Sequence, residues 1–196
     1  MANLDALTGL GTGDLATIAI SAVALIAAVI ANISASASKA NDNKVQARNT
    51  VNGLCVRIAE LSTQIQVFRV EQQGTSNLAL YNTKINATVR QVVALATLAR
   101  DVLAKSGIKA AAVEYALIAD AIAMSGDPSA DALWAQAVGT ARTRHDRIDL
   151  MQRFAEYLYS VGKEARGAAA YGDARAAMGP EATPFEIGRN LQMEAT

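Results

Sequence analysis

The feature that most constrains this chain is a long stretch without charge near its start. No charged residue lies between Asp14 and Lys39, and Leu15 to Ile33 is mostly alanine, isoleucine, leucine and valine. As a helix, at about 1.5 Å per residue, Leu15 to Ile33 would be about 28 Å long. The hydrocarbon core of a bilayer is about 30 Å thick. We therefore predict a single transmembrane helix within residues 15–38, preceded by a short flexible N-terminus at 1–14.

Two other interpretations of this segment stay open. A cleavable signal peptide needs a positively charged start and a short apolar stretch, whereas residues 1–14 contain Asp5 and Asp14 and neither lysine nor arginine. A helix buried at the centre of a soluble oligomer is also compatible with so much alanine. The transmembrane interpretation is the one that we carry forward.

Charge on the two sides of the segment predicts its orientation. The first fourteen residues carry a charge of −2, and the stretch 39–69 carries five basic and two acidic residues, or +3. Because the flank that is richer in lysine and arginine usually stays in the cytoplasm, we expect the N-terminus to face outward. The rest of the chain would then be cytoplasmic.

Small residues recur along one face of the segment, at Ala24, Ala28 and Ala31. In lipid, small residues at this spacing allow two helix backbones to approach closely. This face is therefore a candidate for self-association.

A second apolar pattern follows the uncharged segment. Its positions recur every three or four residues, which is typical of a coiled-coil or bundle seam. The seam residues, which are the second set of candidate interaction residues, are Val51, Leu54, Ile58, Leu61, Ile65 and Phe68.

Three further amphipathic helices are predicted, at about 76–105, 108–125 and 129–166. The chain is rich in alanine, the best helix former, and lacks the alternating patterns of strands. We therefore predict an all-α fold: a long N-terminal helix whose second half joins an antiparallel bundle over 39–166. Glycines and prolines interrupt the pattern over 167–196, which is expected to be a tail with one short helix opening at Thr183.

The sequence offers no convincing catalytic centre. The run Gly9 to Gly13 lacks the preceding strand and the lysine of a phosphate-binding loop. His145, the only histidine, has Asp149 one helical turn away but no nucleophile or further metal ligand in reach by sequence. The lone Cys55 excludes a disulfide within the chain. We expect no enzymatic activity, no catalytic residues, no cofactor and no metal.

The sequence therefore predicts a non-enzymatic, membrane-anchored helical scaffold or assembly subunit. Its expected partners are the lipid bilayer and either further copies of itself or other membrane and assembly proteins. With 18 basic and 18 acidic residues, the chain lacks the basic excess of a dedicated nucleic-acid binder, and no specific nucleic acid is expected. The alternatives are a viral structural or ejected virion protein with a shielded apolar helix, and a soluble helical oligomer with residues 15–33 buried at its centre.

Overall fold

The computed structural model describes residues 12–73, 77–180, 182–183, 187–188 and 190–192, with the side chains of all except 12–38, 40 and 73. Over these residues the chain forms six α-helices and no strand, which confirms the all-α prediction. The helices are α1 Thr12–Gln73, α2 Leu78–Ser106, α3 Ala112–Ala123, α4 Ala130–Thr140, α5 Arg144–Ser160 and α6 Glu164–Met178.

The chain divides into two compact units, Met1–Val45 and Gln46–Thr196, with the boundary inside α1. In the part that is described in full, no helix is both long enough and apolar enough to cross a membrane. The side chains of residues 12–38, where the predicted span and the face Ala24, Ala28 and Ala31 fall, lie outside that part. For these residues the structure gives the helical backbone of α1.

The second unit is a helical bundle whose core begins with the last part of α1. Val51 and Ile58 are completely buried there. They belong to one apolar cluster with residues of α2, α3, α4 and α5, including Val92, Ile118 and Trp134. This cluster is a continuous core, which is what a bundle of short-linked amphipathic helices requires.

Local hydrogen bonds and a left-handed glycine fix both ends of α2 and the start of α3. Asn77 caps α2, because its side chain accepts a hydrogen bond from the Leu80 amide at 3.3 Å. Gly107 ends α2 in a left-handed conformation, φ 64°, that costs glycine little. Glu114 in the first turn of α3 accepts a hydrogen bond from the free Ala111 amide at 2.6 Å, and amides at helix starts need such partners.

The predicted helix over 129–166 is broken twice in the structure and contains α4, α5 and the first residues of α6. The chain leaves the helix after Thr140 and re-enters it at Arg144. Thr143 is responsible for the new start: it has an extended backbone, and its hydroxyl accepts a hydrogen bond from the Asp146 amide at 3.0 Å. Apolar spacing alone does not show such a break, because the same residues continue the pattern on both sides.

Helix α6 lies where the sequence predicted that the helical pattern ends. Its residues are mostly alanine and glycine and show no clear apolar face, yet Tyr171, Ala174 and Met178 are buried. α6 packs chiefly against α5. At the contact, a Cβ atom on Gly167 would lie 2.6 Å from Cδ2 of Tyr159. The missing side chain of Gly167 therefore permits the close approach of the two helices.

The described residues of the tail meet α6 at Asn190. This side chain is completely buried, and its Oδ1 accepts a hydrogen bond from Nη1 of Arg175 at 3.1 Å. The Ile187 amide donates a hydrogen bond to the carbonyl of Thr183 at 3.2 Å, and residues 187–188 and 190–192 are helical, in the region where a short helix was predicted. Residues 184–186 of that helix lie outside the described residues.

Candidate functional site: the interaction surfaces of the bundle

The predicted seam of α1 lies inside the chain's own bundle. Val51, Ile58, Leu61 and Ile65 are at most 4% exposed, and Leu54 packs against the same cluster. They share one apolar cluster with residues of α2 to α5 of the same chain. In this conformation the seam stabilises the monomeric fold and is not available to a second molecule.

Phe68, the last seam residue, lies near the end of α1, beside the first turns of α2. It is half-buried, and the Lys84 ammonium lies 5.5 Å from its ring centroid and 4.9 Å from that of Tyr81. A cation over two aromatic faces is attracted to both. Close by, Gln72 donates a hydrogen bond to Asn82 at 2.7 Å. These contacts join the end of α1 to the start of α2.

The opposite side of α1 is exposed and uncharged. We call this surface the outer face; its residues are Asn49, Asn52, Val56, Ala59, Thr63, Val67 and Val70. Val56 is 60% exposed and Val70 is 69% exposed. At 100° per residue, these positions lie on one side of the helix, away from the seam. This face was not predicted from the sequence, because the buried seam is the stronger apolar pattern.

A cleft of about 900 Å³ opens between α1, the start of α3 and α5. Its charged lining residues are Arg48, Lys109, Arg142, Asp146, Asp149 and Arg153. Apolar and small residues, among them Val113 and Leu150, complete the wall. The cleft therefore presents both signs of charge over a largely apolar floor.

Two of the cations in the cleft are already paired within the chain. Arg48 forms an ion pair with Glu114 at 2.8 Å and approaches the Lys109 carbonyl at 3.4 Å. Arg153 pairs with Asp120 at 2.6 Å, and its guanidinium carbon lies 5.5 Å from the Trp134 ring centroid.

The remaining charged groups of the cleft are balanced in sign. Among the described residues, Lys109, Arg142, Asp146 and Asp149 form no ion pair with one another. Two cations and two carboxylates suit a ligand or peptide that itself carries both charges.

Neither Cys55 nor His145 lines this cleft. Cys55 is buried in the core, and burial together with the charge of Glu114 raises the pKa of its thiol to about 11, against a smaller opposing effect of Arg48. Such a thiol is unreactive at neutral pH. His145 is exposed on α5. Among the described residues there is no group of three metal-ligating side chains.

A half-buried ionic cluster centred on Asp131 was not predicted from the sequence. Its carboxylate accepts hydrogen bonds from Tyr157 at 2.8 Å, from Lys163 at 2.8 and 2.9 Å, and from Arg166 at 2.7 Å. Burial alone would raise the pKa of Asp131, but these donors outweigh it and lower the pKa to about 2. The cluster joins the start of α4 to the end of α5 and the start of α6.

Tyr157 also packs against two aromatic rings, which hold its phenol in place for the hydrogen bond to Asp131. Its ring stacks on Trp134 and Phe154, with centroids 6.4 and 6.3 Å away. Burial, and then the hydrogen bond to Asp131, raise the pKa of the Tyr157 phenol to about 12. The phenol therefore stays protonated at neutral pH and acts as a fixed donor.

Comparisons with known protein families, with curated proteins and with solved structures find no match for this chain.

Proposed function

We propose that the protein is a non-enzymatic, membrane-anchored helical scaffold that self-associates or binds partner proteins. The observation that carries the proposal is the uncharged segment between Asp14 and Lys39, which lies within the helical backbone of α1. It is long enough to span the hydrocarbon of a bilayer. Charged residues begin at Lys39, which would lie at the membrane surface.

The structure of the second unit supports a scaffolding role over a chemical one. Its described surface offers the outer face of α1 and a cleft of mixed charge, both suited to contacts with protein. Its half-buried ionic groups at Asp131 connect α4 to α5 and to the start of α6, and serve to hold those helices together. We propose that the bundle is cytoplasmic, because the flank 39–69 carries the excess of positive charge.

Alkaline carbonate extraction of membranes that contain the full chain tests the anchor. The proposal predicts that the protein stays in the membrane pellet. Ile26→Arg places a cation in the middle of the segment, at a cost of about 2.5–3.5 kcal/mol for insertion, and is expected to shift protein to the supernatant. Val56→Arg on the exposed outer face is the matched control and is expected to remain in the pellet.

Release of the unmodified protein by carbonate would overturn the anchor. A helix of residues 15–33 buried within a soluble oligomer would then replace it. Cleavage by protease added to sealed vesicles tests the orientation separately: with the bundle inside, residues 46–196 are protected.

A further inference from the structure

We infer that the cleft between α1, α3 and α5 binds a peptide segment of a partner protein that carries one basic and one acidic side chain. Asp149 is the carboxylate that receives the basic side chain. The inference rests on the proposed role as a scaffold and names the chemistry of its partner. It uses residues of the second unit alone and does not depend on the membrane anchor.

The first argument is the missing partner of Asp149. This side chain is half-buried in the wall of the cleft, and its carboxylate has neither an ion pair nor a hydrogen bond with any side chain that the structure describes. The other half-buried carboxylates of the described residues are all ion-paired: Asp101, Glu114, Asp120, Asp127 and Asp131. Partial burial removes hydration from a charged group, and a cation in the cleft would replace it. Asp146, three residues earlier on the same wall, adds to that attraction.

The second argument is that the cation best spaced for Asp149 on its own helix is held elsewhere. Arg153 follows Asp149 by four residues, a spacing at which opposite charges pair across one helical turn. Its guanidinium instead binds Asp120 of α3 at 2.6 Å and lies 5.5 Å from the centroid of the Trp134 ring. His145, one turn before Asp149, is exposed and does not line the cleft. Asp149 is therefore left for a cation from outside the chain.

The third argument is the charge on the rest of the wall. Lys109 and Arg142 are exposed, line the same cleft and form no ion pair with a described side chain, whereas Arg48 is occupied by Glu114 at 2.8 Å. An occupant with a cation for Asp149 and a carboxylate for Lys109 or Arg142 complements both signs of the wall. Such complementarity is the usual source of specificity between protein surfaces.

The fourth argument favours a peptide over a small zwitterion. Val113 is 66% exposed at the start of α3, and Leu150 lies beside it in the lining of the cleft. Apolar side chains framed by charged ones are typical of the centre and rim of a protein interface. The cleft volume of about 900 Å³ leaves room for an apolar side chain between the two charged ones. A free amino acid would leave Val113 in water.

Fluorescence anisotropy of the full chain in a nonionic detergent tests the inference with defined probes. The probes are peptides blocked at both ends, with a neutral dye, that contain one arginine, one leucine and one glutamate. In three versions, the arginine and the glutamate are separated by one, two or three residues. At least one version is expected to bind, and replacing its arginine with glutamine is expected to weaken binding about five- to tenfold.

Asp149→Asn is the variant that assigns the contact. It is expected to weaken binding of the arginine probe about five- to tenfold and to leave that of the glutamine probe unchanged. Lys109→Gln together with Arg142→Gln is expected to act in the same way on the glutamate of the probe. Asp173→Asn, at an exposed position of α6, is the matched control and is expected to change neither affinity.

The inference is overturned if no version binds more tightly than its glutamine counterpart, or if Asp149→Asn weakens both counterparts equally. Displacement of the probe by free arginine at equal concentration would make a small cation the occupant and would also overturn it. Carbonate extraction of the same chain reports the anchor separately. A chain that stays in the pellet without binding the probes keeps the anchor and loses this site, whereas one that binds them and is released keeps the site and loses the anchor.

Discussion

The phenol of Tyr157 donates a 2.8 Å hydrogen bond to Oδ1 of Asp131, whose carboxylate also binds Lys163 and Arg166. This one carboxylate connects α4, α5 and the start of α6. The three donors make its ionised form the stable one in the folded protein. The stability of the bundle should therefore depend on the charge of a single side chain.

We predict that Asp131 makes the bundle sensitive to acid between pH 4 and pH 2. Its pKa in the folded protein is about 2, below the ordinary value of 3.8. The ionised carboxylate thus stabilises the fold fully above about pH 4, by about 2 kcal/mol, and this contribution is lost as the pH falls through 2. Urea unfolding at a series of pH values, followed by the fluorescence of Trp134, measures it.

Asp131→Asn is the variant for this measurement. It should lower the free energy of unfolding at pH 7 by about 1–3 kcal/mol, and its difference from the unmodified protein should shrink as the pH approaches 2. Asp173→Asn, at an exposed position of α6, is the control and should change little. A difference at Asp131 that is the same at every pH would contradict the assignment.

We predict opposite effects for two glycine-to-alanine substitutions. At Gly167 a Cβ atom would lie 2.6 Å from the Tyr159 ring, so Gly167→Ala must displace that ring or α6 and should destabilise by about 1–3 kcal/mol. At Gly53 in α1 the added carbon would have no atom within 4 Å beyond the neighbouring backbone of its own helix. Gly53→Ala should therefore stabilise the helix by about 0.5–1 kcal/mol. Thermal unfolding measures both, and equal shifts would be inconsistent with the close contact at Gly167.

The seam and the outer face should respond differently to truncation. Ile58 is completely buried whereas Val56, two residues away, is 60% exposed. Ile58→Ala is expected to cost about 2–5 kcal/mol through lost packing and a residual cavity, and Val56→Ala about 0.5 kcal/mol or less. Equal costs, measured by urea unfolding of the full chain, would show that the seam is not the core of the monomer.

Cys55 should be protected from thiol reagents in the folded protein. It is 6% exposed, and its pKa is raised to about 11, so little thiolate forms at neutral pH and little of it is accessible. Modification by a water-soluble disulfide reagent should be slow until denaturant is added. A cysteine introduced at Val56, on a Cys55→Ala background, should react at once, and fast modification of Cys55 itself would place it outside the core.

Periodicity alone predicted the helical class and the buried positions of α1. Val51, Ile58 and Ile65 repeat at heptad spacing, and that spacing follows directly from burying one side of a helix. The pattern did not predict which side chains pack against this side of α1. The same apolar spacing suits packing against a second copy of the chain or against the chain's own α2 to α5.

The elements that sequence reasoning missed depend on contacts between distant residues. Gly167 looked like a helix breaker, yet it allows α6 to approach Tyr159, and tertiary packing outweighs the low helix propensity of glycine. Asp131 lies on α4 and its partners Lys163 and Arg166 lie at the start of α6, 32 and 35 residues later, so no local spacing reveals their cluster. Thr143, three residues before Asp146, is a local signal that could have predicted the start of α5, because threonine is a favourable helix cap.

The central claim is that lipid surrounds the middle of the uncharged segment. The most direct test is a fluorescent label on Ile26→Cys, in the full chain with Cys55→Ala, reconstituted in vesicles with either a lipid-bound quencher or aqueous iodide. The account predicts strong quenching from within the bilayer and little from iodide, with the reverse at Val56→Cys. Quenching of the Ile26 label by iodide but not by lipid, or by neither, would contradict it.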